Sequence, residues 1–116
     1  MRNNLNRMSE IADITNKLIE FRDERDWLQF HNPKDIALAI SVEAGELLEL
    51  FLWKQPEDVN KEKVKEELAD VLVFAFFLAN KYDLDIKKII LDKMQKNAKK
   101  YPIDKAKGTA KKYNEL

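Results

Sequence analysis

The chain has 116 residues, room for one domain, and its 45% hydrophobic and 36% charged side chains support a folded core and exclude wholesale disorder. It has no cysteine and a single histidine, His31, which removes disulfides, thiolate metal sites, iron–sulfur clusters and any multi-histidine metal site. Two glycines and three prolines are too few for a turn-rich sheet fold or a Gly-rich phosphate loop, so phosphate chemistry here has to rest on Lys, Arg and a cation held by carboxylates.

The apolar rhythm of Leu5, Met8, Ile11, Ala12, Leu18, Ile19 and Trp27 predicts a first helix from about Leu5 to Phe30. Asn32-Pro33 is a cap followed by proline at the first helical position, and it opens a second helix that runs to about Lys54, before Pro56. Asn60 caps a third helix, Lys61 to Lys81, with Glu62 in its first turn. Asp85 caps a fourth, Ile86 to Lys100, which Pro102 ends. The chain therefore reads as all-α, a four-helix core bundle over residues 1–102, followed by a lysine-rich tail, 103–116, with little structure beyond one short turn. The polar N-terminus lacks the apolar stretch of a signal peptide. The most apolar run, Leu68–Ala79, falls short of the roughly 20 residues that span a bilayer. A soluble, cytoplasmic protein with no membrane partner is expected.

The 21 basic and 21 acidic groups cancel overall but not locally: residues 1–86 hold 18 acids against 11 bases, and residues 87–116 hold 10 lysines against 3 acids. A generally basic nucleic-acid binder does not have this pattern, and no nucleic-acid partner is expected. The lysines either solvate a helix and tail or face an anionic substrate gathered near an acidic site.

Within the third helix, LADVLVFAFFLA is apolar on every face except at Asp70. Such a helix is buried on all sides, and four helices cannot enclose one of their own, so a partner subunit is expected to cover the remainder. A lone carboxylate in that run has to be protonated, paired or metal-bound. Glu67 lies three residues before Asp70, on the same face, and the second helix offers a matching pair, Glu43 and Glu46. If those faces meet, four carboxylates converge into an all-oxygen ligand set suited to Mg²⁺ or Mn²⁺. Glu66 and Glu49 are rivals, read here as flanking groups. Gly45, unfavourable within a helix, marks either a close approach by another helix or ligand, or a tolerated defect.

Glu43-x-x-Glu46, a 20-residue gap and Glu67-x-x-Asp70 resemble the signature of the MazG-like all-α nucleoside triphosphate pyrophosphohydrolases. FRDERDWLQFHNPKD, ISVEAGELLELFLWK, EELADVLVF and KMQKNAKKYP occur in the order and register of the dCTP pyrophosphatase branch, over roughly residues 18–102. The resemblance implies Mg²⁺-dependent hydrolysis of a nucleoside triphosphate, dCTP or a modified dCTP, to the monophosphate and pyrophosphate, in a nucleotide-pool cleaning role. It also implies a homodimer or homotetramer. Glu43, Glu46, Glu67 and Asp70 would hold the metal and form the catalytic centre.

On the fourth helix Lys93, Asn97 and Tyr101 form one stripe, which by resemblance contacts the triphosphate and sugar. Lys96, Lys99 and Lys100 are expected to face solvent, with phosphate contact by Lys100 from a neighbouring subunit as the alternative. By the same resemblance Trp27 and Trp53 surround the pyrimidine, and Trp53, seven residues after Glu46, falls on the metal-facing side of the second helix. His31 either hydrogen-bonds the ligand or caps the turn before Asn32-Pro33. Some members of the branch carry a histidine near the position of Leu18, and its absence leaves base preference open. Two other readings stand beside this one: a superfamily enzyme acting on dUTP or phosphoribosyl-ATP, and a non-catalytic helical binding module with a structural metal site.

Overall fold

The computed structural model describes residues 9–116, so the expected helix start at Leu5 and Met8 lies outside the described residues. These form five helices and three short 3-10 turns with no strand: α1 (Glu10–Glu24), α2 (Pro33–Glu49), α3 (Lys61–Lys81), α4 (Ile86–Lys100) and α5 (Ile103–Ala106). The all-α class is as the sequence predicts. The chain divides into two compact units, one ending at Asp83 and one running from Leu84 to Leu116.

In the first unit each helix begins where a side chain takes up free backbone N–H groups. Ser9 Oγ accepts from the Ala12 amide (3.1 Å) and Asn32 Oδ1 from the Asp35 amide (2.9 Å). Asn60 Oδ1 accepts from both Glu62 and Lys63 (3.0 and 3.2 Å). Two helices end earlier than the sequence suggests. α1 stops at Glu24 instead of Phe30 because Asp26 takes a left-handed conformation (φ 55°). The Asp26 amide then donates to Asp23 O and the Trp27 amide to Arg22 O, each at 3.1 Å, which closes the helix end and reverses the chain. Gln29 Nε2 braces this turn on Asp26 O and Oδ2. α2 stops at Glu49 instead of Lys54: the amides of Leu50, Phe51 and Leu52 reach back only three residues, and Trp53 turns left-handed (φ 61°) shortly before Pro56.

α2 and α3 form the principal helix pair, and α1 packs on α3. Ile36, Phe77 and Ala79 are the fully buried apolar side chains among the described residues. As the sequence predicts, one chain does not enclose α3 on all sides. Leu72 is 51% exposed and Asp70 is itself exposed, because α1 and α2 cover only part of the helix. Gly45 meets no close approach either, since a Cβ built there would touch nothing within 4 Å. It lies instead on an uncovered face of α2 beside Val42 and Leu48, the latter 70% exposed.

In the second unit Asp85 Oδ1 caps α4 through the Lys88 amide (2.8 Å). Its tail holds more order than the single short turn expected. After α5, Gly108 (φ 79°) reverses the chain, and the Tyr113 ring stands edge-on to Tyr101 with centroids 6.2 Å apart. Lys100 Nζ lies 4.9 Å from the centre of the same ring.

Asn60 satisfies two amides at the head of α3, so Asn60→Ala should cost about 1 kcal/mol. Urea unfolding should show a lower midpoint with an unchanged slope.

Candidate active site

α2 and α3 bring Glu43, Glu46 and Glu67 together, with one carboxylate oxygen of each within 4.8 Å of the others. Pairs spaced by one helical turn on facing helices produce this convergence. Asp70, the next turn of α3, stands outside that tightest set, yet its charge acts on both Glu43 and Glu67. Glu66 reaches the cluster only as a neighbouring charge on Glu67, and Glu49 is solvent-exposed.

The cluster is electrostatically unfavourable as it stands. Partial removal from water, then the adjacent Glu46 carboxylate, then the charges of Asp70 and Glu67 push Glu43 up to about 7. Desolvation and the same neighbours raise Glu67 as well. Glu43 Oε2 and Glu67 Oε2 are buried without a hydrogen-bond partner. Crowded carboxylates with unsatisfied inward oxygens are the donor set of a hard divalent cation, so the residues present fit such an ion.

Beside the cluster lies an apolar cavity of about 630 Å³. α1 supplies Ile14, Lys17, Leu18 and Phe21, and α3 supplies Asp70, Val73, Phe74 and Phe77; Trp27 and His31 complete the wall. Asp70 belongs to the cavity lining and acts on the carboxylates, so the apolar space and the acidic cluster adjoin. The His31 ring packs edge-on against Phe77 with centroids 4.8 Å apart, and its Nδ1 is buried without a partner. Burial first, then the nearby Arg22 and Lys81 charges, lower the His31 pKa and keep the ring neutral at pH 7. The turn before α2 is capped by Asn32, which leaves the imidazole free of that task.

The two tryptophans do not meet. Trp27 lines the cavity, whereas Trp53 is 94% exposed and forms no part of it. The tightened turn after Glu49 takes Trp53 off the helical line of Glu46 that the spacing predicts. In the second unit Lys93 and Asn97 line an open groove along α4 with Ile89, Ile90 and Met94. Tyr101 closes that helix, its amide donating to Asn97 O at 2.8 Å.

Sequence reasoning missed Ile14 and Phe21 of the α1 wall, which recur at helical spacing with Leu18 and extend its apolar stripe into the cavity.

Residues 38–116 match the MazG-like family. The chain belongs to that family. This MazG-like chain is 38% identical to dCTP pyrophosphatase 1 of Rattus norvegicus, over 75% of its own length and 56% of the rat protein's. Against dCTP pyrophosphatase 1 of Homo sapiens it is 38% identical, over 91% of this chain and 67% of that one. It thus spans little more than half the length of the rat relative. The crystal structure of a pyrophosphatase from Archaeoglobus fulgidus superposes with a TM-score of 0.79 at 36% identity, covering 88% of this chain and 98% of that one. No helix among the described residues of this MazG-like chain is long and apolar enough to cross a membrane.

The raised Glu43 gives a signed pH dependence. In the metal-free protein the folded state keeps a proton that the unfolded chain has released, so stability falls as pH rises from 4.5 through about 7. Thermal unfolding in EDTA across that interval should show the decline, and Glu43→Gln should flatten it.

Proposed function

We propose that the chain hydrolyses nucleoside triphosphates to the monophosphate and pyrophosphate, with dCTP or a 5-modified dCTP as the preferred substrate, in a nucleotide-pool cleaning role. The observation that carries this reading is the apolar cavity that shares Asp70 with the carboxylate cluster. One space admits a flat, weakly polar ring, and the adjoining space attracts cations and, through them, phosphates. Names of the relatives support the same chemistry: the mammalian proteins are dCTP pyrophosphatases and the archaeal structure is a pyrophosphatase.

Glu43, Glu46, Glu67 and Asp70 would hold Mg²⁺, with Mn²⁺ as a substitute. The ion supplies neutralisation of phosphate charge and lowers the pKa of a bound water. Trp27 stacks on the base, a contact worth about 1–3 kcal/mol, while neutral His31 presents a ring nitrogen to its edge. Lys93, Asn97 and Tyr101 bind phosphate and sugar with donors that need no further activation.

Self-association belongs to the same reading. Leu38, Val42 and Leu48 on α2 and Leu68 and Leu72 on α3 leave apolar area exposed that a second copy would cover, and Gly45 lets a helix approach closely there. Trp53, displayed on a strained turn, would then close a neighbouring copy's cavity.

Pyrophosphate release from a panel of deoxynucleoside triphosphates, with Mg²⁺ and with EDTA, tests the reaction. Glu46→Gln and Asp70→Asn should each lower turnover by more than the roughly 10–100-fold typical of losing an outer-shell metal partner, with helical content retained. Glu66→Gln should be mild. Near-normal turnover by either ligand variant at limiting Mg²⁺ removes the four-carboxylate assignment. Equal efficiency on dATP and dCTP removes the cytosine preference and leaves the reaction standing.

Trp53→Ala should weaken binding of every nucleotide and flatten the preference between bases. Sedimentation should find an oligomer at low micromolar concentration. A stable folded monomer there would end the idea that a second copy completes the site.

A further inference from the structure

The cavity wall made by Phe21 and Trp27 is held from behind by a residue that does not line the cavity. Arg25 places its guanidinium carbon 3.6 Å from the centre of the Phe21 ring and 5.9 Å from that of Trp27. The two rings themselves meet edge-to-face, with centroids 5.9 Å apart and planes at 71°. The guanidinium is fixed at one end, since Nη1 donates to Phe21 O at 2.9 Å, and Glu24 lies 3.7 Å away. Arg25 is also the last position before the left-handed Asp26 that turns Trp27 back over the helix. One planar cation therefore touches both rings and the backbone that carries one of them.

We propose that Arg25 is a positioning residue for nucleobase binding, its stacked guanidinium fixing the Phe21–Trp27 wall in the orientation that receives the ring. This rests on the reading of the cavity as the base site. Trp27 is 43% exposed and follows a helix end, so burial alone does not hold its side chain. An indole free to swing would spend part of its time away from the stacking position, and ligand binding would have to order it. The effect falls on affinity and not on the bond-breaking step, because Arg25 touches neither the carboxylate cluster nor the cavity interior. Lysine is not an equivalent replacement. It carries the charge without the flat face that lies on Phe21 or the fork that reaches its carbonyl.

The test measures KM and kcat in the full chain with Trp53 in place, with dCTP and Mg²⁺. Emission is read separately in the chain carrying Trp53→Phe, in which Trp27 is the sole tryptophan. Arg25→Met and Arg25→Ala should each raise KM about 3- to 5-fold, the scale of a partly exposed cation–π contact, with kcat unchanged. Trp27 emission should shift to the red in both, and Arg25→Lys should fall between them and the parent. A role in stability alone would lower the unfolding temperature of these variants and leave KM and emission where they were, which overturns the proposal. Trp27→Ala separates the two levels of the argument. If it raises KM while the Arg25 variants do not, the base-site reading stands and the positioning role fails; if it leaves KM unchanged, both fall. Arg25→Lys keeps a long basic side chain at the helix end, and supplies the same KM and emission comparison if a shorter replacement does not fold.

Discussion

Crowded negative charge governs the architecture of the first unit. Three carboxylates within 4.8 Å, with a fourth acting on them, oppose the packing of α2 against α3, yet those helices form the unit's principal pair. The opposition is visible in Glu43, held near neutrality until about pH 7, and in two inward oxygens without a hydrogen-bond partner among the described residues. A divalent cation held there would convert this repulsion into cross-linking of the two helices. It would lie beside the apolar cavity, whose lining includes Asp70.

In the proposed reading the cavity and the cluster divide the labour of recognition. Apolar walls tolerate flat rings of several kinds, and a methylene more or less changes such binding by only about 1–3 kcal/mol. Discrimination has to come from the few polar groups at the rim. Lys17 and neutral His31 are those groups in the lining besides Asp70. Leu18 adds bulk to this wall but no hydrogen bond.

Much of this was legible in the sequence because it depends on local rules. Asn32, Asn60 and Asp85 each announce a helix start through a short polar side chain, and each caps as expected. The carboxylate pairs were readable because one-turn spacing fixes a shared face whatever the tertiary context. The helix ends were not. Asp26 and Trp53 adopt left-handed backbone, which a bulky Trp disfavours and an Asp only tolerates, and no glycine marks the spot. The failure at Trp53 propagated, since its assignment to the metal-facing side assumed a helix that had already ended. The incomplete cover of α3 was legible too: an apolar run says that a surface will be covered, not that its own chain covers it.

The left-handed Trp53 sets stability against its proposed role at a single position. A bulky aromatic there strains the backbone, and 94% of its surface returns nothing to the isolated fold. Selection for thermal resistance alone would replace it with glycine, which accepts that conformation at no steric cost. A thermostabilised variant obtained that way would keep its helices and carboxylates while losing the exposed ring that the turn displays. Stability screens on this chain would therefore favour substitutions at a site whose worth they cannot register.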